Sequence, residues 1–243
     1  MYNMIMISEE IKLYFLTKKQ LFALFFFFFI SATSCYAEKL APGLYHFDQA
    51  QGNYSLFVPS RNSQVMVVAL HGSGERAPGY IANWVSDAAR SGYVILVPNA
   101  IDKNGWQGKD IPPIIEKTLA YQKDYDINKT IISGASSGGH FALLLGINYY
   151  QYFDGIAVFM GIISQNLGRW IEFQEEPWNR RPIFMVHGDK DTMVPIQYGR
   201  MTAKMLQGKG YPTTFVEEKD MAHEHYRKAN IKIINWIQGI KKK

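Results

Sequence analysis

Ser136 lies in a pattern typical of a catalytic nucleophile. The apolar residues 131–132 lead into GASSG at 134–138, a Gly-x-Ser-x-Gly motif, and helix-forming residues follow. Such a motif predicts a strand, a sharp turn that exposes the serine hydroxyl, and a helix. Glycines suit 134 and 138 because side chains there would collide with the neighbouring strand and helix. The amino end of the helix would favour developing negative charge, so the pattern predicts an acyl-transferring serine rather than a plain Gly/Ser turn.

A serine hydroxyl needs a base, and the base needs an orienting acid. In the strand-turn-helix setting of this motif, the chain order is serine, acid, histidine. Of the six histidines, His187, His223 and His225 lie beyond the serine motif and the helix predicted to follow it. His187 directly precedes the candidate acids, which leaves His223 or His225. We favour His223 as the base; His225, two positions later, is the alternative or a surface helix residue.

The acid is expected in the segment 187–195, HGDKDTMVP, which contains two aspartates. Its His-Gly-x-x-Asp-x-x-Val-Pro pattern resembles the acid loop of serine esterases of the α/β-hydrolase superfamily. The resemblance implies that the second aspartate, Asp191, is the acid. Aspartates are also common turn residues, and we interpret Asp189 in that way.

An oxyanion hole requires backbone N–H groups aimed at the tetrahedral intermediate. The segment 71–74, HGSG, follows an apolar run and fits the His-Gly-x-Gly type of oxyanion loop. We predict the N–H groups of Ser73 and Ser137 as the donors. His71 is interpreted as a structural residue that holds this loop.

The resemblance extends over nearly all of residues 40–240. The order of LHG at 70–72, Trp106, YDIN at 125–128 and the Gly-x-Ser-x-Gly-Gly motif resembles secreted esterases of the polyhydroxybutyrate depolymerase and feruloyl esterase type. The acid loop also resembles the phospholipase/carboxylesterase (acyl-protein thioesterase) group. These resemblances imply an α/β-hydrolase fold and a serine esterase that uses Ser136, Asp191 and His223, but they leave the substrate open.

The remaining sequence alternates between strands and helices. Strands are predicted at 44–48, 54–59, 64–70, 93–97, 130–133, 155–159, 183–187 and 213–216, and helices at 81–91, 111–125, 137–150, 197–207 and 229–240. In the last helix, Ile231, Ile234 and Ile237 are expected on one face. Near-continuous apolar strands separated by helices predict a mostly parallel sheet covered on both faces, with ligands at the carboxyl ends of its strands.

About 20 residues separate the strands at 155–159 and 183–187, which leaves no room for a large lid. Trp170, Phe173 and Trp178 in this stretch are candidate walls of the acyl pocket, as is Trp106 in an earlier polar loop. Each of them is equally compatible with ordinary packing.

The first 37 residues have the pattern of a secretory signal. Lys18 and Lys19 precede the apolar run 21–30, and small residues follow. We predict a signal peptide at 1–37 and a single α/β-hydrolase domain at 38–243. The segment ATSC at 32–35 also resembles a bacterial lipobox, so the alternative is a lipid anchor on Cys35, the only cysteine. The chain is therefore expected to be secreted or periplasmic, or tethered to a membrane.

Composition excludes some classes of function. The formal net charge of +5 is too modest to indicate nucleic-acid binding. GSGERA at 72–77 satisfies a dinucleotide-binding pattern, but no acid ends the following predicted strand. Nothing implies a metal or a cofactor. The expected partner is a small or polymeric ester; a peptide or thioester substrate, or a non-catalytic binding role, are the alternatives.

Overall fold

A computed structural model of the chain describes residues 39–50, 52–62, 64–225 and 227–240. Eight strands of this described part form one sheet in the order β1-β2-β4-β3-β5-β6-β7-β8. They are β1 (Gly43–Phe47), β2 (Tyr54–Val58), β3 (Val65–Leu70), β4 (Tyr93–Pro98), β5 (Lys129–Ala135), β6 (Gly155–Phe159), β7 (Ile183–Gly188) and β8 (Thr213–Glu218). Strand β2 runs antiparallel to β1 and β4, and the other neighbours are parallel.

Helices cover both faces of this sheet. They are α1 (Ala77–Ser91), α2 (Ile111–Asp124), α3 (Ser137–Asn148), the short α4 (Gln165–Gly168), α5 (Ile196–Gly208) and α6 (Arg227–Gly239). One apolar layer contains residues of α1 and α6, and the other contains residues of α2, α3 and α5. The predicted mostly parallel α/β-hydrolase fold is confirmed, and the segment between β6 and β7 carries no large lid.

The central strand β3 is apolar throughout because both of its faces are covered. All six residues of β3 are buried. Successive side chains of a strand point to opposite faces, and accordingly Met66 and Val68 join the layer of α3 while Val65 and Val67 join the layer of α1. A strand of this kind reads as a continuous apolar run rather than an alternating one.

The strand register brings several carboxyl ends to one edge of the sheet. Leu70 of β3 pairs with Gly134 of β5, and Ala135 of β5 pairs with Phe159 of β6. The loops that follow these strands therefore lie side by side, and Ser136 follows β5 directly. This edge is where the predicted site residues can meet.

Two sequence expectations differ from the structure. Helix α1 begins at Ala77, four residues before its predicted start, because a proline in the first helical turn is tolerated. In α6, Ile231 is 52% exposed, whereas Ile233, Ile234 and Ile237 are buried. The prediction for Ile231 was wrong because the inward face follows the spacing 230, 233, 234, 237, and the polar Asn230 occupies its first position.

The predicted signal peptide and the lipid anchor at Cys35 concern residues outside the described part of the chain, and they stay predictions. Among the described residues, no helix has both the length and the apolar character needed to cross a bilayer.

Candidate active site

Ser136 occupies a strained turn between β5 and α3. Its φ of +52° lies in the left-handed region, which non-glycine residues adopt rarely and mainly where the surrounding structure enforces it. The Ser136 N–H donates to the carbonyl of Phe159 at 2.9 Å, and the Ser136 carbonyl accepts the His140 N–H at 2.9 Å. The turn is thus fixed on one side by β6 and on the other by the first turn of α3.

The two glycines of the motif allow this turn to pack. A Cβ atom at Gly134 would overlap the carbonyl of Gly138, and one at Gly138 would overlap the carbonyls of Leu70 and His71. Helix α3 therefore begins in direct backbone contact with β5 and with the end of β3. This close approach is the physical reason for glycine at both positions.

Three predicted site residues meet at this edge of the sheet. Ser136 Oγ lies 3.0 Å from His223 Nε2, and His223 Nδ1 lies 2.8 Å from Asp191 Oδ2. Asp191 follows β7 and His223 follows β8, so three separate loops supply the three side chains. The arrangement allows the imidazole to accept a proton from the serine hydroxyl while its other nitrogen donates to a carboxylate.

Backbone and side-chain donors hold the Asp191 carboxylate in place. Its Oδ1 accepts the N–H groups of Met193 and Val194 at 3.0 and 2.8 Å, and its side chain is fully buried. Its Oδ2 is also 3.3 Å from His187 Nε2, and this nitrogen lies 2.7 Å from the carbonyl of Val194. The two backbone N–H groups and His223 therefore fix the orientation of the buried carboxylate.

His187 anchors the acid loop rather than serving as a base. Its side chain is 1% exposed, and within the described part of the chain its Nδ1 has no hydrogen-bond partner. From the sequence, His187 was interpreted only as part of the acid-loop motif, and its anchoring role was not predicted. The signal was available, because a histidine that ends a buried strand must find a polar partner nearby.

His225, the alternative base, lies in the layer of α1 and α6. The His225 imidazole is 2.9 Å from Asn230 Oδ1 and 3.2 Å from Tyr80 Oη, and its ring packs 4.1 Å from that of Phe159. Burial lowers the pKa of His225 to about 4. The suggestion of a surface helix residue was wrong, because the aromatic layer between α1 and α6 encloses the ring.

Asp189 has the turn role expected for it. Its Oδ1 accepts the Asp220 N–H at 2.7 Å, and its N–H donates to the carbonyl of Glu218 at 3.0 Å. It therefore links the loop after β7 to the loop after β8. These loops carry Asp191 and His223, respectively.

The predicted oxyanion donors lie on two adjoining segments. Gly72 donates its N–H to Glu75 Oε2 at 2.6 Å, and the Glu75 N–H returns to the Gly72 carbonyl at 3.3 Å, which closes a turn around Ser73. Ser137 opens α3, where helix geometry provides no partner for its N–H. None of the hydrogen bonds found among the described residues uses the N–H of Ser73 or Ser137, so both stay available as donors.

His71 supports this loop, as the sequence analysis expected. Its Nδ1–H donates to the Gly72 carbonyl at 2.8 Å, and its Nε2 accepts the Ala100 N–H at 3.2 Å. Burial lowers the pKa of His71, which keeps the ring neutral. Trp106 packs beside it: the indole N–H donates to the His71 carbonyl at 2.9 Å, and the indole stacks on Phe141 at 5.9 Å. Trp106 is thus close to the oxyanion loop.

The structure does not bring Trp170 and Trp178 to Ser136, and the expectation for them was wrong. The Trp170 carbonyl accepts from Asn148, the last residue of α3, and a 12-residue helix separates this point from Ser136 by roughly 18 Å. Trp178 lines an open groove of about 640 Å³ that also includes Pro182, which directly precedes β7. The two indoles are 72% and 68% exposed.

The reason is topological. Strand β7 runs parallel to β6, so residues 160–182 must return from the carboxyl edge of the sheet to its amino edge. The aromatic residues lie late in this stretch and therefore at the amino edge. Phe173 is an example, since its ring packs at 6.2 Å against that of Tyr211, which shortly precedes β8.

His140 is a further residue of this region, and it was not predicted from the sequence. Its Nδ1 accepts the Ile162 N–H at 2.9 Å. Burial, followed by the neighbouring His223 and His187, lowers the pKa of His140 to about 4. Its position in the first turn of the helix that follows the Gly-x-Ser-x-Gly motif was the signal that could have found it. In the part of the chain that the structure describes, no group of three or more histidine, cysteine or acidic side chains could hold a metal ion.

Comparisons with solved structures agree with the fold. Esterase PE8 superposes with a TM-score of 0.61 at 18% identity, covering 83% of this chain and 99% of that one. Zea mays acyl-protein thioesterase 2 superposes with a TM-score of 0.60 at 14% identity, covering 77% and 98%, respectively. At these identities the likeness shows a shared fold.

Curated relatives match parts of the sequence. Acyl-protein thioesterase 1 of Neurospora crassa is 32% identical over 108 residues, which is 42% of this chain and 44% of that protein. Acyl-protein thioesterase 1 of Emericella nidulans is 22% identical over 198 residues, 65% of this chain and 82% of that protein. The chain spans 41% of the Gibberella zeae and 44% of the Neurospora crassa proteins, about two fifths of each.

The family model described as Phospholipase/Carboxylesterase matches residues 106–240, which is more than half of the chain. The matched region includes the serine turn, the acid loop and the segment that carries His223. The chain therefore belongs to the phospholipase/carboxylesterase family.

Proposed function

We propose that this protein is a serine hydrolase that cleaves carboxylic esters through an acyl-enzyme intermediate. The observation that carries the proposal is the continuous hydrogen-bonded chain from Ser136 Oγ through His223 to Asp191. The strained φ of Ser136 supports it, because backbone strain of this kind clusters at active sites.

In the first half of the reaction, Ser136 Oγ attacks the ester carbonyl carbon and His223 Nε2 takes the hydroxyl proton. The resulting imidazolium lies against Asp191, whose carboxylate fixes the tautomer and stabilises the charge. Collapse of the tetrahedral intermediate breaks the bond to the alcohol oxygen, and His223 gives its proton to that oxygen. An acyl group then remains on Ser136.

In the second half, His223 accepts a proton from water, and the hydroxide attacks the acyl carbon. Collapse releases the carboxylic acid and returns the proton to Ser136. The N–H groups of Ser73 and Ser137 are the proposed donors to the oxyanion in both halves. They are preorganised because the Gly72–Glu75 turn and the start of α3 fix the two segments.

Thioester hydrolysis is the second candidate, because the matched relatives include acyl-protein thioesterases of several fungi. The same machinery serves both bonds, since each reaction proceeds through a tetrahedral oxyanion and an acyl-serine. The proposed export of the protein rests only on the pattern of residues 18–37.

The test is hydrolysis of p-nitrophenyl esters from acetate to palmitate, with a butyryl thioester beside the butyrate ester. The wild type is expected to turn over the esters, and Ser136→Ala to lose a factor of about 10⁴ or more in kcat. Ser60→Ala, which removes an exposed hydroxyl between β2 and β3, serves as the control and should retain activity. Absence of turnover of every substrate by folded protein would refute the proposal, and a strong preference for the thioester would favour the second candidate.

A further inference from the structure

His140 lies beside the proposed triad. It lies in the first turn of α3, directly after the Ser136 turn, and its N–H donates to the Ser136 carbonyl at 2.9 Å. His223 and His187 are close enough to influence its protonation. His140 has no role in the proposed mechanism of ester hydrolysis.

A backbone contact fixes the orientation and tautomer of the His140 ring. Nδ1 accepts the Ile162 N–H at 2.9 Å, so in the neutral ring the proton is on Nε2. Ile162 belongs to the loop after β6, which is itself held in one conformation. Met160 has a φ of +47°, and a Cβ at Gly161 would press against the backbone of Gly139. The imidazole therefore sits against a rigid support.

The other ring nitrogen, Nε2, can still donate a hydrogen bond. Among the described residues, no group accepts a hydrogen bond from His140 Nε2, and this atom is also not among the enclosed polar atoms that lack a partner. Because burial lowers the pKa of His140 to about 4, the ring is neutral at ordinary pH and its Nε2–H is an uncharged donor. A fixed, neutral and unengaged donor next to a nucleophile is suited to contact substrate.

The position of His140 indicates which half of the ester substrate it would contact. The proposed donor Ser73 lies in the loop after β3, on one side of β5, whereas His140 contacts the loop after β6, on the other side of β5. His223, its neighbour, delivers the proton to the leaving oxygen. The alcohol half of the ester must therefore lie on the side of His223 and His140.

We propose that His140 Nε2–H donates a hydrogen bond to an oxygen atom in the alcohol half of the ester. This inference rests on the proposed ester hydrolysis and narrows its substrate class. The preferred substrates are esters of polyhydroxylated alcohols, which carry an acceptor oxygen near the scissile bond. Esters of simple alkyl alcohols lack that acceptor.

Two substrates that share an acyl group provide the test. Glyceryl 1-monobutyrate and propyl butyrate differ only in two hydroxyl groups, and titration of the released butyric acid measures kcat/KM for each. Wild-type enzyme is expected to prefer the glyceryl ester by roughly 3- to 10-fold, the contribution of one neutral hydrogen bond.

Two variants separate the substrate contact from the support of the loop. Asn at position 140 keeps an acceptor near the Nδ1 position for Ile162 but has no donor near the Nε2 position, so His140→Asn should abolish the preference and leave the unfolding temperature near that of the wild type. Gln places an amide donor near the Nε2 position but loses the Nδ1 acceptor. His140→Gln should therefore retain much of the preference and unfold at a lower temperature.

The outcomes distinguish failure of the proposed substrate contact from failure of the proposed ester hydrolysis. If both esters are cleaved with equal efficiency by the wild type, or if His140→Asn lowers both rates by the same factor, the substrate contact is refuted and His140 only supports the loop. If the folded wild type cleaves neither ester, ester hydrolysis itself is refuted, and this inference with it.

Discussion

Replacing Asp191 by asparagine changes one atom of the proposed triad and keeps its shape. In the structure Asp191 Oδ1 accepts two backbone N–H groups, and Oδ2 accepts from His223 Nδ1. An asparagine can keep its carbonyl oxygen in the Oδ1 position, so the loop retains both backbone hydrogen bonds. Its amide group then replaces Oδ2 and presents a donor to His223.

The consequence for His223 is a change of tautomer. Facing an N–H donor, Nδ1 must become the acceptor, and the ring proton moves to Nε2, which lies 3.0 Å from Ser136 Oγ. A protonated Nε2 cannot take the serine proton. Loss of the correct tautomer and of the charge that stabilises the imidazolium is expected to lower kcat by about 10³–10⁴, which corresponds to roughly 4–5.5 kcal/mol of transition-state stabilisation.

The assay is p-nitrophenyl butyrate hydrolysis, with thermal unfolding measured in parallel. The matched control is Asp189→Asn in the same loop, since Asp189 is exposed and its amide replacement can still accept the Asp220 N–H. This control should change activity by no more than about twofold. A loss of less than tenfold in folded Asp191→Asn, or an equal loss in both variants, would refute the assignment of Asp191 as the orienting acid.

Two further predictions concern packing and pH. Gly138→Ala should lower the unfolding temperature markedly, because the added Cβ would overlap the carbonyl of Leu70. The control is Gly79→Ala in α1, where the added Cβ meets no atom within 4 Å, so this variant should be neutral or stabilised by up to about 1 kcal/mol. Equal unfolding temperatures for the two variants would contradict the packing argument. Because the pKa of His225 is about 4 in the folded state against an ordinary 6.5, the unfolded chain binds the extra proton first, so stability should fall as pH drops from 6.5 to 4, by up to about 3 kcal/mol. Unfolding temperatures between pH 7 and 4.5 should show a weaker decline for His225→Gln, and an unchanged decline would exclude His225 as a source.

Much of the fold could be predicted because local and global signals agree. Buried parallel strands such as β3 need apolar residues on both faces, and the sequence shows unbroken apolar runs at these places. The serine turn was predictable because only glycine avoids the backbone overlaps at positions 134 and 138. Asp191 was selected over Asp189 only through a family resemblance, since both are aspartates in one short loop.

Features that depend on chain direction in space were harder to predict. Trp170 and Trp178 are near the site strands in sequence, yet the return to the start of a parallel strand carries them to the opposite edge. Ile231 was wrongly predicted to be on the buried face because Asn230 occupies that inward position. The Asn230 amide N–H groups donate to the Asn83 carbonyl and to Asp87 Oδ2, a pairing that no apolar periodicity reveals.

The arrangement of the neighbouring histidines His140, His187 and His223 explains why, in the proposed mechanism, His223 is the base. His187 Nε2–H is committed to the Val194 carbonyl, and the other nitrogen of that ring is enclosed. Burial lowers the pKa of His140, whose Nδ1 already accepts the Ile162 N–H, so protonation of that ring is unfavourable at ordinary pH. His223 alone has one nitrogen on the carboxylate and the other on the serine. In the proposed mechanism, the proton taken from Ser136 is therefore held where Asp191 stabilises it and where it can be given to a leaving oxygen. The neighbouring imidazoles do not compete for that proton.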